Sequence, residues 1–240
     1  MGNPVLIDSA RLSGTEAPEL PARAERSVER ALEARRAAYR DEVTRLLRAG
    51  SQLMRETGTV DPRVSDIVRR AGLSNQAFYR HFRAKDELLL AILEEGTREL
   101  RGYLEHRMAR GTSPLEQIRQ WIQGVLAQAL VPEAAEATRP FAINRARLVE
   151  RLPEGGVASA DALKAPLRAA LARAAAEGEL PGAEPEADAE ALYQLAMGWM
   201  QDQLVLRARP RPEAARHLVE FALRGLRRAA PAAPEAPRGA

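Results

Sequence analysis

Several residue types that carry enzyme chemistry are absent or scarce in this chain of 240 residues. There is no cysteine, which excludes disulfide bonds and thiolate chemistry. The three histidines, His81, His106 and His217, stand apart from one another without the spacing of metal ligands. The sequence also has no glycine-rich phosphate loop and no nucleophile elbow. We therefore expect no metal site, no cofactor and no enzyme activity.

Aromatic residues and long apolar runs are scarce too. Aromatics make up 4% of the chain, although 45% of its residues are hydrophobic, and Val, Ile and Thr do not alternate over any sustained stretch. This combination predicts an all-α fold with a substantial core. No apolar run approaches the roughly 18 residues of a membrane span, and residues 1–20 lack the apolar segment of a signal peptide. We expect a cytoplasmic protein with no membrane partner.

Lysine is nearly absent, since only Lys85 and Lys164 are lysines among the 36 basic residues. The formal net charge of the chain is only +3, but its distribution is uneven. Residues 37–85 hold ten basic and five acidic side chains, which gives this segment +5 and leaves −2 for the rest. Positive charge concentrated in one segment is typical of a nucleic-acid-binding domain.

Apolar residues recur at helical spacing on both sides of the tetrapeptide from Ala71 to Ser74. Two short amphipathic helices that meet at a tight corner form a helix-turn-helix. We expect Asp61 and Pro62 to open the first helix as N-cap and first helical residue. Gly72 should end that helix in the left-handed conformation, and Ser74 should cap the second helix.

The second helix of this motif, residues 75–82, is predicted to turn Phe78 and Phe82 inward. Its outer face then carries amide, phenol, guanidinium and imidazole groups, which suit base edges and phosphates. We expect Asn75 and Gln76 to read base edges, whereas Ser74, Tyr79, His81 and Lys85 hold phosphates. The candidate DNA-binding residues are Ser65, Ser74, Asn75, Gln76, Ala77, Tyr79, Arg80, His81 and Lys85.

The run VSDIVRRAGLSNQAFYRHFRAKDEL resembles the DNA-binding signature of the TetR family of transcriptional regulators. The shared features are Asp66-Ile67, Ala71-Gly72-Leu73-Ser74, Phe78-Tyr79, His81-Phe82 and Lys85-Asp86. Upstream, the stretch from Leu46 to Gly58 resembles the first helix of that family. Gln76 and Ala77 depart from the small or hydroxyl residues that the family often has there, so the resemblance implies no particular operator sequence.

The resemblance implies a repressor that binds a palindromic operator as a homodimer through its last two helices. It also implies a C-terminal pocket for a small apolar or amphipathic effector, which relieves repression. The candidate ligand-binding residues are Tyr103, Trp121, Val125, Phe141, Asn144, Trp199 and Gln203. The large members of this set also suit an ordinary core. The alternative is therefore an architectural DNA-binding protein whose C-terminal domain only dimerises and takes no effector.

Composition shifts and helical periodicity divide the chain into four segments. We expect a flexible basic N-terminal arm that is partly helical, a helix-turn-helix domain, a helical effector-binding and dimerisation domain, and a disordered tail. These are residues 1–36, 37–85, 86–229 and 230–240, respectively. Residues 27–40 are either a solvated helical run that extends the first helix or an arginine-rich arm that reaches DNA.

A long fourth helix should run from Lys85 to about Arg110 and join the two domains. The sequence predicts that the next helix begins with a capping box at Ser113. This helix should end before Pro132. Further helices are predicted over residues 138–152, 163–177, 186–207 and 213–228. Breaks are predicted at residues 153–156 and 181–185.

Overall fold

The computed structural model describes residues 20–206 and 211–228. Most of the predicted arm, residues 1–19, and the predicted tail lie outside the described residues. Within the described ranges the chain forms ten α-helices and no strand, which confirms the all-α prediction. The helices are α1 (Ala22–Thr57), α2 (Val64–Ala71), α3 (Asn75–His81), α4 (Lys85–Met108), α5 (Pro114–Leu130), α6 (Pro132–Ile143), α7 (Arg145–Arg151), α8 (Pro153–Ala176), α9 (Pro185–Leu206) and α10 (Pro212–Leu226).

Contacts divide the chain into one unit of residues 1–42 and another of residues 43–240. In the first unit the side chains of residues 25–38 are all exposed, and Arg35 donates to the Tyr39 hydroxyl at 3.0 and 3.2 Å. The segment 27–40 is therefore an exposed helix that extends the first helix, and a contact of its arginines with DNA stays a prediction. The helix begins at Ala22, somewhat earlier than the sequence predicted.

In the second unit, the first of two hydrophobic cores joins the end of α1 to α2, α3 and the start of α4. We call it the first core; its buried residues are Leu46, Ala49, Met54, Val60, Ile67, Val68, Ala71, Phe78, Phe82, Leu88, Leu89, Ile92 and Leu148. Gly50 allows α1 and α4 to approach closely, because a Cβ atom there would lie 2.7 Å from the Cδ1 atom of Ile92. This close approach of a neighbour at Gly50 was predicted from the sequence.

A second core is built around α5, which packs against α4, α6, α8, α9 and α10. Trp121 is completely buried there, and its indole Nε1 donates to the carbonyl oxygen of Leu163 at 3.1 Å. The predicted cap of α5 is present, since the Ser113 hydroxyl accepts from the amide of Glu116 at 3.4 Å. Along the described ranges, no helix combines the length and the apolar character that crossing a membrane requires.

The prediction for residues 132–177 is wrong in its helix boundaries. Instead of one helix over 138–152 and a break at 153–156, α6, α7 and α8 follow one another almost without a gap. Pro132 and Pro153 each occupy the first turn of a helix, where the missing amide proton costs no hydrogen bond. Gly155 lies inside α8, and a Cβ atom there would be 2.5 Å from Leu90 of α4. The expected helix breakers therefore start a helix or allow close packing.

Candidate DNA-binding site

The corner between α2 and α3 has the geometry that its residues predict. Gly72 adopts the left-handed conformation at φ 64° and ψ 38°, and its amide donates to the last carbonyls of α2. Ser74 caps α3, because its hydroxyl accepts from the amide of Ala77 at 3.1 Å. These two local interactions fix where α2 ends and α3 begins, and both predictions are confirmed.

The predicted N-cap of α2 is wrong. The helix begins at Val64, the residue in the cap position is Arg63, and no side chain caps the first turn. Pro62 is buried in the preceding turn, whereas Asp61 directs its carboxylate away to the ammonium of Lys85. A carboxylate gains more from a nearby cation than from a single backbone amide, which explains why Asp61 does not cap the helix.

The two faces of α3 are clearly separated. Phe78 is completely buried and Phe82 is 6% exposed, with their ring centroids 5.8 Å apart. Asn75 and Gln76 are exposed, and Tyr79 keeps 59% of its surface accessible, although its ring contacts Phe78 edge-on at 5.2 Å. The outer face is thus an exposed strip of hydrogen-bonding groups on a helix whose inner face is anchored in the first core.

The remaining candidate DNA-binding residues lie in different environments. Ser65 in the first turn of α2 and Arg80 on α3 are exposed, whereas His81 is half-buried. Ala77 is only 5% exposed, so its methyl group packs mainly toward the inside of the fold. Its place among the DNA-contacting residues stays a prediction.

Lys85 lies at the start of α4 and belongs to a group of charged side chains that the sequence did not reveal. Asp61 accepts from Lys85, from Arg147 at 2.7 Å and from Arg151 at 3.3 Å. Arg151 also pairs with Asp86 in the first turn of α4. We call these five residues the Asp61 cluster. The hydrogen bond from Lys85 lowers the pKa of the Asp61 carboxyl; burial opposes this shift, and Arg151 and Arg147 reinforce it.

The short helix α7 is also held against the first core by contacts that involve no net charge. Leu148 is 7% exposed and packs among first-core residues. Just before α7, the side-chain amide of Asn144 donates to the carbonyl oxygen of Gly58 at 3.0 Å and to that of Pro140 at 2.8 Å. α7 is therefore one of the parts of the C-terminal region that contact the end of α1 and the start of α4, together with α6 and α8.

The candidate ligand-binding residues fall into two groups. Trp121 and Val125 are completely buried in the second core, and the partly buried Trp199 packs against it. Phe141 packs instead against the first core, and the Asn144 amide nitrogen is occupied by the two carbonyls named above. Gln203 is half-buried on α9, and Tyr103 is 38% exposed on α4 with its hydroxyl accepting from Arg107. The set is not gathered around one space, and its role stays a prediction.

Two surface grooves lie elsewhere in the described part of the chain. One, of about 760 Å³, runs between the end of α1 and α6, with Arg55, Glu56, Glu136 and Arg139 among its lining residues. The other, of about 430 Å³, is lined by charged residues and His217 on α10. Among the described residues, no group of three or more histidine or acidic side chains could hold a metal ion.

Comparisons with known proteins agree with this geometry. Residues 46–92 match the sequence profile of "Bacterial regulatory proteins, tetR family". The HTH-type transcriptional regulator BetI of Stenotrophomonas maltophilia (strain R551-3) is 35% identical over 80 residues, which are 33% of this chain. The match spans only 41% of the length of BetI.

Two solved structures share the fold over most of the chain. GusR of Salmonella enterica superposes with a TM-score of 0.61 at 22% identity, over 77% of this chain and 94% of GusR. FadR of Bacillus subtilis, a transcriptional regulator solved in complex with stearoyl-CoA, has a TM-score of 0.60 at 14% identity, over 76% of this chain and 98% of FadR. Residues 46–92 thus resemble the tetR family of bacterial regulatory proteins in sequence, and the chain shares its fold with GusR and FadR over about three quarters of its length.

Proposed function

We propose that the protein is a transcriptional regulator that binds double-stranded DNA with α3 in the major groove. The observation that carries this proposal is the exposed strip on α3, where Asn75, Gln76 and Tyr79 face solvent while Phe78 anchors the helix from behind. A side-chain amide can bond an adenine bidentately, and tyrosine and lysine suit phosphates. Residues 37–85 then form the DNA-binding domain, and residues 86–229 form the regulatory and dimerisation domain.

The proposed active form is a homodimer through α9 and α10, because paired half-sites demand matching two-fold symmetry in the protein. Exposed apolar side chains on these helices support this interface. Leu206 is 72% exposed and Phe221 is 60% exposed, while Trp199 and Leu218 are partly buried. Large apolar side chains exposed on these two helices would be covered by a partner in such an association site.

The proposed mode of action is repression that a small apolar or amphipathic effector relieves. The effector binds among the helices of residues 89–203 and favours a dimer whose two α3 helices are wrongly spaced for the operator. By reciprocity, DNA then weakens effector binding by the same factor by which the effector weakens DNA binding. FadR of Bacillus subtilis, which shares this fold, was solved with stearoyl-CoA, an amphipathic molecule of the proposed class.

One observation favours the alternative, an architectural DNA-binding protein without an effector. Trp121 and Val125 have no exposed surface, so the second core is filled at the place where a pocket was predicted. An effector must open this core to bind. If saturating concentrations of long-chain acyl thioesters and other hydrophobic metabolites leave operator binding unchanged, the architectural function replaces the proposed one.

DNA binding is tested by fluorescence anisotropy with duplexes from the region upstream of the protein's own gene, at several salt concentrations. Gln76→Ala should relax base preference at one position, whereas Lys85→Ala should weaken all sequences alike and reduce the salt slope by at most about one. Gln52→Ala, at an exposed glutamine on α1 that is not a candidate DNA-binding residue, is the matched control and should change neither. Equal loss of base preference from Gln76→Ala and Lys85→Ala would refute the assigned roles.

The dimer is tested by light scattering at micromolar concentration. Phe221→Glu places a charge in the proposed interface and should convert the dimer to a monomer. Val157→Glu makes the same kind of change at a side chain of α8 that is 72% exposed, so it should leave the dimer intact. A monomeric wild-type protein would overturn the proposal, as would dimers of unchanged stability in Phe221→Glu.

A further inference from the structure

Asp61 lies in the turn between α1 and α2, where two parts of the chain compete for its carboxylate. Lys85, at the start of α4, and the two arginines of α7 all bond to it, with Arg147 at 2.7 Å and Arg151 at 3.3 Å. The four side chains are partly exposed, at 22% for Arg151, 27% for Asp61, 31% for Lys85 and 49% for Arg147. These pairs can therefore exchange without unfolding the protein.

We propose that Asp61 is a positioning residue for DNA binding, because its bond to Lys85 competes with the binding of Lys85 to phosphate. Arg147 and Arg151 weaken that bond. This inference rests on the proposed function. An ammonium bonded to a carboxylate is a weaker phosphate ligand than one that points to solvent, because phosphate must first replace the carboxylate. Every arginine that bonds to Asp61 neutralises part of its charge and loosens its hold on Lys85.

The position of α7 determines how many basic side chains share the carboxylate of Asp61. When α7 lies against the first core, as in this structure, Arg147 and Arg151 share Asp61 and leave Lys85 more available. When α7 withdraws, Asp61 has only Lys85 to bond, and affinity for DNA falls. A change in the C-terminal domain thus alters a phosphate contact through one carboxylate, without any movement of α3.

The same contacts make the test practicable. Leu148 in the first core and the Asn144 bond to Gly58 hold α7 in place without charge, so variants of the charged residues should keep their fold. Asp66 provides a matched control, since it is a partly exposed aspartate of α2 that pairs with Arg69 and has no bond to Lys85. Asp66→Asn makes the same change of net charge as Asp61→Asn.

The experiment measures the dissociation constant and salt slope of full-length variants on the labelled upstream duplex, with thermal unfolding as a check of fold. Asp61→Asn should tighten binding and steepen the slope by less than about one, because Lys85, which the wild-type carboxylate partly neutralises, then engages phosphate as a full charge. Asp66→Asn should do neither. In a Lys85→Ala background, Asp61→Asn should lose both effects, which a merely structural role of Asp61 would not predict.

The arginines are tested together as Arg147→Gln with Arg151→Gln. This double variant should weaken binding by about fivefold in the wild-type background, a typical coupling between sites, and by much less in the Asp61→Asn background, where only the pair of Arg151 with Asp86 is lost. Equal weakening in both backgrounds would mean that the arginines contact DNA directly, which overturns the inference. An Asp61→Asn protein that binds like wild type would overturn it too. If the wild-type protein binds no duplex, it is the proposed function that fails.

Discussion

Leu148 offers the sharpest test of how α7 is attached to the DNA-binding region. Its side chain comes from the C-terminal region but is 7% exposed and packs in the first core. Replacing it with alanine removes three carbon atoms, which corresponds to about 2.4 kcal/mol of lost burial. Cavity formation adds to this value, and relaxation of a short helix subtracts from it. We expect Leu148→Ala to lower the free energy of unfolding by about 2–3 kcal/mol.

The next residue is the natural control. Val149 is 50% exposed on the same helix, so Val149→Ala should change stability by no more than about 0.5 kcal/mol. For a chain of this length the Leu148→Ala loss corresponds to a fall in melting temperature of roughly 5–10 °C, measurable by differential scanning calorimetry. If Leu148→Ala and Val149→Ala have the same melting temperature, burial of Leu148 in the first core does not stabilise the protein.

Three further predictions concern capping, packing and charge. Ser74→Ala removes the cap of α3 and should cost about 1 kcal/mol in urea unfolding, whereas Ser65→Ala should stay within about 0.5 kcal/mol; equal effects would contradict the capping role. Gly124→Ala should destabilise by about 1–3 kcal/mol, because its new carbon would lie 2.6 Å from a leucine of α4, while Gly102→Ala, with nothing within 4 Å, should stabilise by about 0.5–1 kcal/mol. The pKa of the Asp61 carboxyl is lowered in the fold. The stabilisation that this carboxylate provides is therefore present above its ordinary pKa of about 3.9 and is lost as pH falls through the lowered value. The melting temperatures of wild type and Asp61→Asn should converge in acid, and a difference that stays constant with pH would contradict this.

Local interactions account for what the sequence predicted correctly. The left-handed Gly72, the cap at Ser74 and the inward Phe78 each depend on residues within a few positions, and all are present. The boundaries around Pro132 and Pro153 were not predictable in the same way. A proline both ends the helix before it and suits the first turn of the helix after it. Which of these occurs depends on whether neighbouring elements bury the residues that follow, and this is a tertiary effect.

The candidate ligand residues show a related limit. They were chosen because large apolar side chains on C-terminal helices are expected to be buried, and Trp121 is indeed buried completely. Size and periodicity do not say which neighbours share that burial. Phe141 follows α5 closely in the chain, yet it packs against the first core rather than beside Trp121. A pocket drawn from residue type alone therefore combined side chains that belong to two separate cores.

The Asp61 cluster was beyond sequence reasoning for a different reason. Asp61 is 86 and 90 positions from the two arginines that bond to it, and the chain offers 33 acidic and 36 basic residues to pair. Exposed charges carry no periodic signal that would select a partner, and at the start of a helix an aspartate first suggests a cap. Asp61 is diverted from that role because the first core brings Lys85 beside it, and because Leu148 brings the arginines of α7 to the same point. Apolar packing thus determines which charges meet, and in this chain it places the carboxylate of Asp61 between Lys85, the proposed phosphate ligand, and the arginines of α7.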